Sequence, residues 1–156
     1  MLVLKSLQPE KALNMTSNPH LAHFTIAYGC VLVAALLPMV CAFIAKRGAL
    51  GKKPGEEGGY DNHDPRAWLA RQGAASARAN AAQANSFEAL PFFIGAVIVA
   101  HQLGAAQTPL DLLALLFVGL RIIYIALYVF DKPTARSAIW SVAFTVNIAI
   151  FFLGYR

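Results

Sequence analysis

Residues 78 to 100 read RANAAQANSFEALPFFIGAVIVA, and within them a polar segment passes directly into an uninterrupted apolar one. At helical spacing Arg71, Arg78 and Asn85 recur every seven residues and Glu88 follows Asn85 at i+3, so the four fall near one stripe, with Gln83 beside it. Glu88 stands where the surroundings become apolar. An unpaired carboxylate there is costly, so a partner is expected. Two roles stay open: glue between helices through salt bridges and hydrogen bonds, or membership of a functional site.

The rest of the chain places this segment in a membrane. Of 156 residues, 58% are hydrophobic, above the about 45 to 50% of a soluble domain, and the mean hydropathy is +0.54. The expectation is an integral membrane protein, all-α, with one domain over residues 1–156. Charged residues make up 13% and cluster between apolar runs, so the net charge of +5 belongs to loops and a site. No basic stripe interleaves with aromatics, and nucleic acid is not an expected partner. Cys30 and Cys41 fall in one apolar run about 16 Å apart along a helix, too far to bridge, and read as packing thiols.

Residues 1–20 lack the apolar core of a cleaved signal peptide, and Met15 is a possible start. His20 and His23 have helical spacing for a metal but no third ligand nearby, so no metal is expected. Residues 21–45 form a first span with Pro38 inside it. Residues 46–63 are rich in glycine and charge and read as a solvated loop. Asp64-Pro65 then signals a helix start, and one long helix is expected from 65 to about His101, its second half, 87–103, being the second span with a bend at Pro91. After a turn at 104–107, Thr108-Pro109 repeats the start signal for a third span at 110–130, and a fourth occupies 134–155. Asn147 in that last span reads as an interhelical hydrogen bond.

Basic residues orient the bundle. Lys46, Arg47, Lys52, Lys53, Arg66 and Arg71 flank the first loop, Lys132 and Arg136 the third, and the second carries none, so both termini are expected outside the cytoplasm. That arrangement brings Arg78, Glu88, Arg121, Tyr128 and Arg136 toward the cytoplasmic half. Arg121, Tyr124 and Tyr128 share a face at i, i+3, i+7. Three arginines, one carboxylate and two phenols suit an anion that also carries an amine, a description glutathione fits, with its two carboxylates, ammonium and thiol. An arginine or tyrosine reaching that thiol would lower its pKa below about 8.5. No GxSxG, HExxH, CxxC, P-loop or GxGxxG arrangement offers another chemistry.

Arg78 followed by Asn85-x-x-Glu88-x-x-Pro91-x-Phe93, then Arg121-x-x-Tyr124-x-x-x-Tyr128 and Arg136 opening the last helix, resembles the MAPEG superfamily of membrane-associated proteins in eicosanoid and glutathione metabolism. The likeness is to a bacterial-type member near the microsomal glutathione transferases. It implies a four-helix subunit in a homotrimer, in a bacterial inner membrane, with glutathione held between neighbours on the cytosolic side. Carried over by position, Arg78, Asn85, Glu88, Arg121, Tyr124 and Tyr128 would bind glutathione and Arg136 would stabilise its thiolate, for transfer to, or peroxide reduction of, hydrophobic small molecules arriving from the bilayer. The family pattern has a second arginine in RAxxN, where this chain has Ala81. A non-catalytic binding or accessory subunit is therefore the second expectation.

Overall fold

The computed structural model describes residues 24–53 and 55–155. The 1–20 segment, His20 and His23 lie outside them. Five α-helices follow in order: α1 Ile26–Lys46, α2 Pro65–Ala70, α3 Ala74–Gln102, α4 Gln107–Val129 and α5 Pro133–Phe152. Four of them, all but the short α2, are long and apolar enough to cross a membrane, and the chain is an integral membrane protein. At 1.5 Å per residue α1 is about 31 Å long, close to the hydrocarbon thickness, while α3 is about 43 Å and extends beyond it.

Local chemistry sets the ends of these helices. Thr25 caps α1, its hydroxyl accepting from the Tyr28 N–H. Asp64 caps α2 in the same way through Ala67, with Pro65 at the first position. The expected single helix from residue 65 is two helices, because the chain leaves helical geometry at Arg71–Gly73 and Gly73, in extended conformation, restarts it as the N-cap of α3. Glycine is favoured at a cap and costly in a helix interior. The Trp68 indole also donates to the Gly59 carbonyl at 2.6 Å, tying α2 to the preceding loop. That loop is partly folded, for Lys46 reaches the Tyr60 hydroxyl at 2.9 Å and Tyr60 meets the Trp68 ring edge to face. Arg71, as the C-cap of α2, leaves the stripe assigned to it.

Helix α4 starts at Gln107, one residue before Thr108-Pro109, after an Ala106 cap, and Pro109 is tolerated because the first four helical N–H groups have no intrahelical acceptor. Helices α3 and α4 are each closed by a Schellman turn. Gly104 (φ 71°) ends α3, with Ala105 N–H on the Ala100 carbonyl, and Asp131 (φ 58°) ends α4, with Lys132 N–H on the Leu127 carbonyl. An aspartate tolerates this left-handed position better than most side chains.

Helix α1 packs on α3 and α4, and α5 closes against α4 and α3. Small residues, Ala27, Cys30 and Ala34 of α1 with Ala96 and Ala100 of α3, let backbones approach, and Phe93 stacks on Phe117 at 4.2 Å between ring centres. Cys30 and Cys41 are buried free thiols in this packing. Large side chains such as Leu32, Leu36, Phe43 and Leu112 point outward, as a hydrocarbon solvent permits.

Away from the arginines, Asp111 of α4 accepts the Ala27 N–H at 2.8 Å and the Gln107 amide at 2.7 Å, so it satisfies an orphan donor at the N-terminus of α1. Asp111→Ala should lower stability by about 1.5 to 3 kcal/mol, the range for a hydrogen bond to a charged group, as read from unfolding in mixed detergent. An unchanged transition would leave Asp111 without that capping role.

Candidate functional site

Three helices supply one face each. Asn85, Glu88 and Phe92 follow one another along α3, Phe117, Arg121, Tyr124 and Tyr128 along α4, and Arg136, Trp140, Ala143 and Asn147 along α5, all at spacings of three or four. Where these faces meet, Arg121 is 3% exposed. Its Nη2 donates to Asn85 Oδ1 at 3.0 Å and to Ser86 Oγ at 3.3 Å, and its guanidinium lies 4.4 Å from the centre of the Tyr124 ring.

Each acceptor is held in turn. Ser86 donates its hydroxyl proton to the Ala82 carbonyl at 2.8 Å, leaving a lone pair for Arg121. Asn85 Nδ2 donates to Glu88 Oε2 at 3.2 Å. Glu88 and Arg121 are thus joined through an amide whose orientation a cation fixes on one side and a carboxylate on the other. Glu88 itself is exposed.

A ladder of rings and guanidiniums continues from Arg121. Tyr124 meets Tyr128 edge to face at 5.6 Å, and the Arg136 guanidinium lies 4.1 Å from the centre of the Tyr128 ring. Cation and ring attract because the ring face carries partial negative charge. Tyr124, Tyr128, Arg136, Ser137 and Ser141 bound a cavity of about 270 Å³ with Asn85 and Trp140. A second cavity, about 160 Å³, shares Asn85 and Trp140, is lined by Glu88 and Arg121 as well, and continues between Ala89, Phe92, Phe117 and Phe144 to Asn147.

Of the seven residues singled out in the sequence, the structure brings together Asn85, Glu88, Arg121, Tyr124, Tyr128 and Arg136. Arg78 is elsewhere. Its Nε donates to the Val129 carbonyl at 3.2 Å and its Nη1 pairs with Asp131 at 3.5 Å, so it secures the α4–α5 turn to α3 and satisfies a helix-end carbonyl. Asn147 also differs from expectation. It is 2% exposed, but its Oδ1 has no hydrogen-bond partner among the described residues, so the interhelical bond expected of that atom is absent. Ser86 and Trp140 were not anticipated. Trp140 lies one turn after Arg136 on the same face, a spacing that marks it, whereas Ser86 has no signal in the sequence beyond its place beside Asn85.

The sequence profile of the MAPEG family matches residues 25–155 of the chain. Among curated proteins and solved structures, none matches it.

Proposed function

The chain belongs to the MAPEG family, and on that premise we propose that it is a membrane-bound glutathione-dependent transferase or peroxidase acting on hydrophobic electrophiles. The observation that carries this reading is Arg121. Its buried guanidinium is answered by a neutral amide, a neutral hydroxyl and a ring face, and no carboxylate lies within ion-pair distance among the described residues. A desolvated cation of this kind has its charge available for an anionic ligand. Glu88 keeps an exposed carboxylate for an ammonium group, and glutathione satisfies both.

Arg136 and the two tyrosines supply the chemistry. A guanidinium beside the thiol favours the thiolate, whose sulfur forms a bond to an electrophilic carbon while the leaving group departs with its electron pair. With a hydroperoxide, the sulfur attacks the terminal oxygen, the O–O bond breaks and the alkoxide leaves and is protonated to the alcohol, and the thiol of a second glutathione then displaces water from the sulfenic acid to give the disulfide. The cavity of about 270 Å³ falls just below the about 300 Å³ at which ligand sites usually begin. Enclosure by a neighbouring copy, as in a homotrimer, supplies the remainder.

We further propose a bacterial inner membrane with both termini outside and the site toward the cytoplasm, an orientation supported by the basic residues of the first and third loops. A single cysteine introduced as Gly58→Cys, in the first loop, should react with an impermeant maleimide only from the cytoplasmic side of sealed vesicles. Reaction from outside would invert the site.

Ala81 favours a second reading, a binding or accessory subunit without catalysis, because it removes one cation from α3. Glu88→Gln tests the binding role in either case. It should weaken glutathione binding by about 1.5 to 3 kcal/mol, the range for a charge-assisted hydrogen bond, with assembly intact. Loss of stability without a ligand-specific loss would make Glu88 structural.

A further inference from the structure

Arg78 lies outside the site, yet what it holds bears on the site. The turn between α4 and α5 runs from Phe130 to Lys132, and two backbone bonds meet at its last residue. The Lys132 N–H closes α4 on the Leu127 carbonyl at 2.9 Å, and the Lys132 carbonyl accepts the Arg136 N–H at 2.9 Å, which opens α5. Arg136 therefore takes its place from this turn, being bonded to the residue that ends the helix before it.

Arg78 fastens the turn from α3. Its Nε donates to the Val129 carbonyl at 3.2 Å and its Nη1 meets Asp131 Oδ2 at 3.5 Å, and among the described residues no other helix sends a side chain to bond this turn. Asp131 stands at φ 58°, where glycine is the residue of least strain, and its carboxylate is the one that Arg78 engages. An exposed ion pair holds little by itself, whereas a charged donor on the Val129 carbonyl holds more. Asn85 and Glu88 lie about two and three turns further along α3, so one side chain joins the helix that carries them to the segment that carries Arg136. We propose that Arg78 is a positioning residue, which holds the start of α5 so that the Arg136 guanidinium stays 4.1 Å over the Tyr128 ring and beside the thiol of the ligand. This role rests on the thiolate function proposed above.

The thiolate band of bound glutathione, titrated against pH on the full-length protein in detergent, separates position from charge. Arg78→Met should raise the bound-thiol pKa by about 1 unit, the small end of the about 1 to 3 units that a contacting opposite charge is worth, because Arg136 is displaced and not removed. In an Arg136→Leu background the same substitution should change nothing further, since its effect passes through Arg136. Asp131→Gly relieves the turn of a left-handed aspartate and so folds where Arg78→Met does not. It should also raise the pKa, by less because the Val129 bond remains, although the loss of a negative charge would by itself lower it. A wild-type pKa in Arg78→Met, an equal rise with and without Arg136, or no rise in Asp131→Gly overturns the proposal and leaves the thiolate reading standing. Absence of a thiolate band in the wild-type protein overturns both.

Discussion

Replacing Arg121 by methionine should weaken glutathione binding by about 2 to 5 kcal/mol, a factor of roughly 30 to several thousand, while the ligand-free protein unfolds no more easily than wild type. The two halves of this expectation come from one geometry. A buried guanidinium with neutral partners has not recovered the whole of its desolvation cost, so an apolar residue of similar volume is neutral or stabilising there. Asn85 Oδ1 and Ser86 Oγ lose a donor, but Asn85 is only half-buried and Ser86 keeps its bond to the Ala82 carbonyl, so little is lost on their side. A ligand carboxylate, by contrast, loses its counter-charge. Calorimetric titration with glutathione and detergent unfolding of the same sample read both quantities. A fall in stability with glutathione affinity unchanged would make Arg121 a structural cation.

Arg136→Leu should raise the pKa of bound glutathione thiol by about 1 to 3 units, the effect of removing an opposite charge at close range. The sign follows from the charged form: a guanidinium favours the thiolate, so without it the thiol holds its proton to higher pH. Turnover that needs the thiolate then has its acid limb moved upward, and at a fixed pH below the new pKa the rate falls about tenfold for each unit. Affinity should change less, because Arg121 and Glu88 hold the other end of the molecule in this account. A pH–rate profile of the variant that coincides with that of wild type would assign Arg136 to anchoring, as basic residues at the ends of spans commonly are.

The four spans were legible because nothing but length and apolarity is needed to recognise them, and so was the meeting of Arg121, Tyr124 and Tyr128, which share a helical face whatever surrounds them. What could not be read depended on groups distant in sequence. Arg78 stands at the right spacing for the stripe, yet Asp131 and the Val129 carbonyl, 53 and 51 residues away, draw it to a turn. The break before α3 was hidden because the helix-start signal at Asp64-Pro65 is sound, while the signal that stops α2 is a glycine helped by a tryptophan bound back to the loop. Asn147 was correctly placed in mid-span. Its missing partner follows from how α3, α4 and α5 pack together, which no single periodicity reveals.

The central claim is that the site holds glutathione as its thiolate, and the ultraviolet difference spectrum of purified protein with glutathione at neutral pH measures that state. The account predicts a saturable thiolate band well below the pKa of about 8.5 of a free thiol, lost at that pH in Arg136→Leu. Saturable glutathione binding with no thiolate band in the wild-type protein would contradict it.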